Sequence, residues 1–223
     1  MADLAVYDLD RTITRLPTYT PFLIHCALRR QQWRLLFLPL VALAMLGYLL
    51  KLYDRGRLKE MCQALLVGRH ISAATLKPLA DSFADQTVAG NVRPGARRAI
   101  DRDRGQGRRL VLATASYRLY ADAIAQRLGF DDVIATGSVI GLDDRVAAKI
   151  DGDNCYGPAK LWMISEWVER SGLLGKHGHV RFYSDHASDA PTFEWADEPV
   201  AVNPHDKLKR LAQRRGWAIE DWS

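Results

Sequence analysis

Cysteine is scarce in this 223-residue chain: Cys26, Cys62 and Cys155 stand far apart, with no C-x-x-C pair among them. An odd, scattered set excludes a disulfide framework and a zinc knuckle, and it suits a reducing compartment. Internal repeats and low-complexity linkers are also missing. With 48% hydrophobic and 26% charged residues, the composition excludes a disordered or collagen-like chain. The opening Met-Ala-Asp-Leu-Ala-Val-Tyr-Asp carries an acid where a secretion signal would carry bases, so no cleaved signal is expected and the expected location is cytoplasmic. Apolar runs long enough for a comfortable membrane span are lacking too. The longest, Leu35 to Leu50, has sixteen residues against the ~20 that a span needs, and it contains Pro39 and Gly47.

What is present is unevenly distributed. Between Arg29 and Lys59, seven bases (Arg29, Arg30, Arg34, Lys51, Arg55, Arg57, Lys59) face one acid, Asp54, so this segment carries +6 of a net +5 and the rest of the chain is slightly acidic. The same segment holds the apolar run. Bases on both sides of it lack the asymmetry of a spanning helix. They suit a segment lying at an anionic lipid surface, and a buried helix with a solvated basic face is the competing reading. Nucleic acid is not an expected partner, because the bases adjoin aliphatic residues rather than stacking aromatics.

Apolar periodicity places strands at Leu4–Tyr7, Arg109–Ala113, Val133–Thr136, His179–Tyr183 and Pro199–Val202. Helices are expected over Ala96–Arg104, Tyr117–Leu128, Pro158 to about Arg170, Ala190–Ala196 and His205–Arg215, with a hairpin or irregular excursion between Val139 and Ile150. Strands alternating with helices imply an α/β fold, a Rossmann-like parallel sheet wrapped by helices. From about Leu16 to Val92 only helical patterns appear, so the expected organisation is a core of residues 1–15 and 93–223 interrupted by an all-helical cap, 16–92.

An open parallel sheet binds ligands beyond the carboxyl ends of its strands. The residues there are Asp8-Leu9-Asp10-Arg11-Thr12, then Thr114-Ala115-Ser116, Lys160 at a helix start, and Ser184-Asp185-His186-Ala187-Ser188-Asp189. Singly, each has a plain alternative: aspartates cap turns, and Thr114 would serve as a helix N-cap. Together, two pairs of carboxylates, hydroxyls and a lysine on one rim, without a histidine triad, point to a divalent cation and a phosphate between them.

These motifs resemble those of the haloacid dehalogenase superfamily of phosphatases: AVYDLDRTIT, LVLATAS, GPAK and RFYSDHASD match its four motifs in order. The helical insert falls where one cap type of that family sits, and the likeness is nearest to subclass IB, which includes phosphoserine phosphatase. Two positions depart from that subclass, Ser184-Asp185-His186 in place of G-D-G and Ser188 in place of asparagine. The resemblance implies Asp8 as nucleophile forming an aspartyl phosphate, and Asp10 as general acid and base. It implies Mg²⁺ held by Asp8, Asp10 through its carbonyl, Asp185 and Asp189. Thr114 and Lys160 would bind and neutralise the phosphoryl group, with Ala115 and Ser116 beside it. The cap segment is similar to caps of relatives of phosphatidylglycerophosphatase C, which implies a lipid phosphate as substrate and a peripheral place on the inner face of the cell membrane through residues 29–59. A soluble phosphatase of phosphoserine or histidinol phosphate is the alternative within enzymes, and a non-catalytic membrane-surface module the alternative outside them.

Overall fold

Leu4–Tyr7 forms strand β1, and none of its four side chains reaches solvent. A run this apolar suits a strand covered on both faces, and successive residues divide between those faces. Ala5 and Tyr7 join one apolar layer, Leu4 and Val6 the other. In this computed structural model, which describes residues 3–173 and 178–223, β1 is the centre of an eight-stranded sheet. Met1 and Ala2, which belong to the N-terminal signal reading, and residues 174–177 of the expected core lie outside the described residues.

β1 pairs in parallel with β3 (Arg109–Tyr117) on one side and β6 (Val180–Ser184) on the other. Beyond β3 lies β4 (Asp132–Ile140), and beyond β6 lie β7 (Glu198–Val202) and β8 (Ala218–Glu220), all parallel. Val139 to Ile150 resolves as a hairpin, in which β5 (Arg145–Asp151) turns back antiparallel on β4. The chain leaves β1 towards β3 in one direction and returns to β6 in the other, so the crevice at the end of β1 is a topological switch point. Helices α5 (Pro94–Gly105) and α6 (Arg118–Leu128) contribute to one apolar layer, and α7 (Pro158–Ser171), α8 (Ala190–Trp195) and α9 (Asp206–Arg215) to the other.

Between these halves the chain makes α1 (Tyr19–Arg30), a short 3-10 turn (Gln32–Phe37), α2 (Leu38–Leu49), α3 (Arg55–Leu66) and α4 (Ala73–Gly90). The two passages into and out of this segment run side by side: the Arg15 N–H donates to Asn91 at 2.8 Å and the Arg93 N–H to Ile13 at 2.9 Å. Asp54 and Ser72 cap α3 and α4 by accepting backbone N–H groups. One detail departs from the all-helical reading. His70–Ser72 is a three-residue strand, β2, that extends the sheet antiparallel to β5. It is too short to show an alternating pattern, and the pairing partner that makes it a strand lies far along the chain.

The apolar run changes helix type at Leu38, where the 3-10 turn passes directly into α2, and Pro39 sits in the first turn of α2. Only Val41, Ala44 and Gly47 of α2 are buried. Tyr53 folds back on that stripe and its hydroxyl donates to the Ala44 carbonyl. A Cβ at Gly47 would come within 2.6 Å of that hydroxyl, so the glycine is what admits the ring. The remaining face is exposed, with Leu36 at 78%, Leu43 at 63% and Leu49 at 70%. Contrary to the expectation from the sixteen-residue run alone, the helical stretch Gln32–Leu49 is by length and composition long and apolar enough to cross a membrane, and 11% of it is buried.

Candidate active site at the strand ends

Asp8 follows β1 directly, and its N–H donates to Tyr183 of β6 at 2.9 Å, so the sheet itself fixes where its carboxylate emerges. Lys160 meets it from the other layer. Gly157 makes that approach possible: φ +60 with ψ −131 is a conformation that side chains disfavour, and it turns the loop so that Pro158 opens α7 and Lys160 lies within the first turn. The Lys160 ammonium donates to Asp8 Oδ1 and to Asp189 Oδ2, both at 2.7 Å, and is only 2% exposed. Burial by itself would lower its pKa, but the charges of Asp189 and Asp8 outweigh that and hold it firmly protonated.

Thr12 connects the second carboxylate. Its hydroxyl lies 3.2 Å from Asp8 Oδ2 and 3.4 Å from Asp185 Oδ1, and it accepts the Asp185 N–H at 3.0 Å. Asp189 receives a further bond from the Ser184 hydroxyl at 2.7 Å, while its other oxygen, Oδ1, is buried with no partner. Burial raises the pKa of Asp8 to about 6, with Lys160 opposing it, and that of Asp185 to about 7, with the Asp8 charge adding to the effect. His205, at the start of α9, stands 3.4 Å from Asp185 Oδ2 and within 3.2 Å of Arg11.

Asp10 points elsewhere. Arg11, with φ +64, swings the chain immediately after it, and the Asp10 carboxylate is taken up by the cap and β3. Oδ1 accepts the N–H and hydroxyl of Thr18 at 2.6 and 2.7 Å, and Oδ2 accepts the Ser116 hydroxyl at 2.9 Å. Thr114, Ala115 and Ser116 lie inside β3 rather than after it, which corrects the expectation that the strand stops at Ala113. A register shift between Thr114 and Tyr117 bends the strand end over the crevice. Thr114 therefore caps no helix; its hydroxyl accepts the Ser116 N–H at 3.0 Å. That contact also uses up the N–H that Ser116 would offer a phosphate.

Thus Asp8, Lys160, Asp189, Asp185 and the β3 end converge, and sequence reasoning missed four of their supports. Thr12 and Ser184 stood in the motifs without an assigned role. Thr18 and Lys59 belong to the cap, and Lys59 was counted with the surface bases. The structure removes it from that set: it is 4% exposed, and its ammonium donates to the Ala115 carbonyl and to Asn154 Oδ1. Arg30 and Arg34 are also engaged, donating to the carbonyls of Val67, Ala64 and Leu65 at the end of α3.

Among the described residues no three His, Cys, Asp or Glu side chains form a ready-made metal cage. The donors nevertheless fit a hard cation. They are carboxylate oxygens of Asp8 and Asp185 joined through Thr12, the orphaned Oδ1 of Asp189, and backbone carbonyls, and Mg²⁺ typically takes one or two carboxylates and keeps several waters.

The family model for haloacid dehalogenase-like hydrolases matches residues 5–194. Phosphoserine phosphatase SerB1 of Mycobacterium tuberculosis is 30% identical over 167 residues, which is 75% of this chain and 52% of that protein. Histidinol-phosphatase of Neisseria meningitidis is 25% identical over 138 residues, 61% of this chain and 62% of its own length. A solved structure of a protein of unknown function from Bordetella pertussis shares 25% identity and a TM-score of 0.89, with both chains covered completely. The chain spans about half the length of the first curated relatives it matches.

Proposed function

The chain belongs to the haloacid dehalogenase-like hydrolase family, and we propose that it is a Mg²⁺-dependent phosphomonoester hydrolase acting through an aspartyl phosphate on Asp8. The observation that carries this reading is the buried Lys160 ammonium bonded to both Asp8 and Asp189 at the end of the central strand. A buried ammonium held between the candidate nucleophile and a candidate metal ligand offsets part of the charge that the acids place on this rim and keeps them in fixed positions for phosphoryl transfer.

Asp8 attacks phosphorus, and one difficult displacement becomes two easier ones. Its carboxylate is desolvated yet ionised at neutral pH, because its pKa is raised only to about 6. Asp10 gives a proton to the leaving oxygen and then takes one from the attacking water; Thr18 and Ser116 orient it for that exchange. Thr114 donates to a phosphoryl oxygen, and Lys160 balances the charge. Asp8, Asp185, the Asp10 carbonyl and Asp189 Oδ1 would hold Mg²⁺, which when bound would neutralise charge on the phosphate and carboxylates.

For the substrate, the exposed face of the 3-10 turn and α2 favours a lipid phosphate presented from an anionic bilayer, with Leu36, Leu43 and Leu49 dipping into the acyl boundary. Phosphoserine and histidinol phosphate, named for the curated relatives, are the soluble competitors.

The test is a panel of soluble and lipid monoesters assayed with and without Mg²⁺, for wild type and Asp8→Asn. Phosphate release by wild type that the substitution abolishes is expected. Near-normal turnover of Asp8→Asn under conditions excluding deamidation would overturn the mechanism.

A further inference from the structure

α3 drives one cation into the seam between cap and core. Lys59 reaches two acceptors, the Ala115 carbonyl and Asn154 Oδ1 at 2.7 Å, and both are neutral. The rings of Tyr19 and Tyr117 stand 5.6 Å from its nitrogen, and the Tyr19 hydroxyl donates to the Lys59 carbonyl at 2.6 Å. An ammonium has three protons to place, and two are accounted for. Among the described residues it has no ion-pair partner, unlike Lys160, which has two. A desolvated cation with neutral neighbours is a costly arrangement unless an anion arrives to complete it. Burial, reinforced by Arg55, accordingly pulls its pKa down to about 7, with Asp10 and Cys155 opposing.

Its position says which part of a substrate it would meet. Ala115 adjoins Ser116, and Ser116 bonds Asp10, the group placed above on the leaving-group side. On that mechanism Lys160 would serve the phosphoryl group that is transferred, and Lys59, which feels the Asp10 charge, would stand on the side where the alcohol departs. Arg55, one turn earlier on α3, lies 4.4 Å over the Tyr156 ring and borders, with Asn154, an open cavity of about 610 Å³ between α3 and the loop before α7. The acids of α3 and its cap are already engaged. Asp54 accepts the Arg57 N–H at 2.8 Å, and Glu60 accepts the Ile150 N–H at 3.1 Å and the Arg57 guanidinium at 3.0 Å.

Resting on the assignment of Asp8 and Asp10 above, we propose that Lys59 is the specificity-determining residue for the leaving group, selecting phosphomonoesters whose alcohol carries a second anionic group near the ester oxygen. A carboxylate of a soluble acid and the phosphodiester of a lipid headgroup share that chemistry.

The experiment compares kcat/KM for glycerol 3-phosphate (neutral alcohol), phosphoethanolamine (cationic), 3-phosphoglycerate (carboxylate) and phosphatidylglycerophosphate in detergent micelles (phosphodiester). Wild type is expected to favour at least one anionic alcohol over the neutral one by about ten-fold or more, the scale of one charge-assisted hydrogen bond. Whichever of the two carries the preference identifies the source. Lys59→Met should erase the preference, mainly through KM. Asn154→Asp, which sets a carboxylate against the ammonium, should shift selectivity towards phosphoethanolamine, and it stands as the independent test if Lys59→Met does not fold. Equal kcat/KM for neutral and anionic alcohols in wild type, or a preference unchanged in the folded variants, overturns the proposal. Turnover surviving Asp8→Asn would instead overturn the phosphatase mechanism, so the two failures are distinguishable.

Discussion

The strand-end rim and the α2 arm invert the usual arrangement of a globular protein. At the rim, Asp8, Lys160 and Asp189 are charged and buried; on the arm, Leu36, Leu43, Leu49 and Leu50 are apolar and exposed. Neither is explained by the stability of this chain alone. Buried ion pairs at best roughly repay their desolvation, and a contiguous apolar surface loses its transfer free energy to water. The rim, however, is internally matched, each charge bonded to another, whereas among the described residues nothing covers the arm's outer face. The rim needs a ligand to do chemistry, and the arm needs a neighbour to be dry.

That contrast can be broken most sharply at the rim. Asp8→Asn should leave no detectable phosphate release, because an amide cannot form the acyl phosphate. Asp10→Asn should lower turnover of alkyl phosphates by ~10²–10⁴-fold, while nitrophenyl phosphate, whose leaving group needs little protonation, loses far less. Equal losses on both substrates would remove Asp10 from the acid role. Next, Lys160→Met leaves two buried carboxylates facing each other and should cost ~3–5 kcal/mol in urea unfolding. On the arm, Leu36→Ser with Leu43→Ser should change stability by only about ±0.5 kcal/mol per site. A large destabilisation there would mean that the arm is packed in solution.

The same arm variant should sharpen the comparison in flotation assays. Wild type is expected to bind liposomes containing phosphatidylglycerol, weakening as salt rises but not releasing fully, because each base contributes ~1 kcal/mol of screened attraction and the leucines a salt-resistant part. Wild type that ignores such liposomes would sink the membrane reading. A separate pH-dependent effect concerns Lys59. Folding favours its neutral form, since its pKa falls from 10.5 to about 7. The penalty is therefore absent above the ordinary lysine value, grows as pH falls, and is complete below about 7. The Tm of wild type relative to Lys59→Met should drop between pH 10 and pH 6. A difference independent of pH would show that Lys59 titrates normally.

Much of this was legible beforehand for identifiable reasons. A strand buried on both faces must be continuously apolar, so Leu4–Tyr7 and the residue following it could be read directly. The expected helix ends at Leu128 and Arg215 hold, because the next residues, Gly129 and Gly216, take the left-handed conformation that glycine favours. The short strands His70–Ser72 and Ala218–Glu220 were not, since three residues carry no period and their pairing comes from distant chain. Nor was the shape of the apolar run, in which Pro39 sits in the first turn of α2.

By itself, the sequence determined the order of the strand-end acids, the lysine and the hydroxyls, because a parallel sheet carries its ligand residues at one edge whatever the loops do. It also determined that charge and apolar surface would coincide between Arg29 and Lys59. Only the tertiary structure decided how each group is used. Lys160 and Lys59 are the same residue type, each near the first or second turn of a helix. One was drawn between two carboxylates and the other against a carbonyl and an amide, and that difference in partners separates a paired cation from one still able to accept an anion. Local pattern fixes which face a side chain occupies, but the atoms it meets there are supplied by elements distant along the chain, and those contacts set its charge, its exposure and its role.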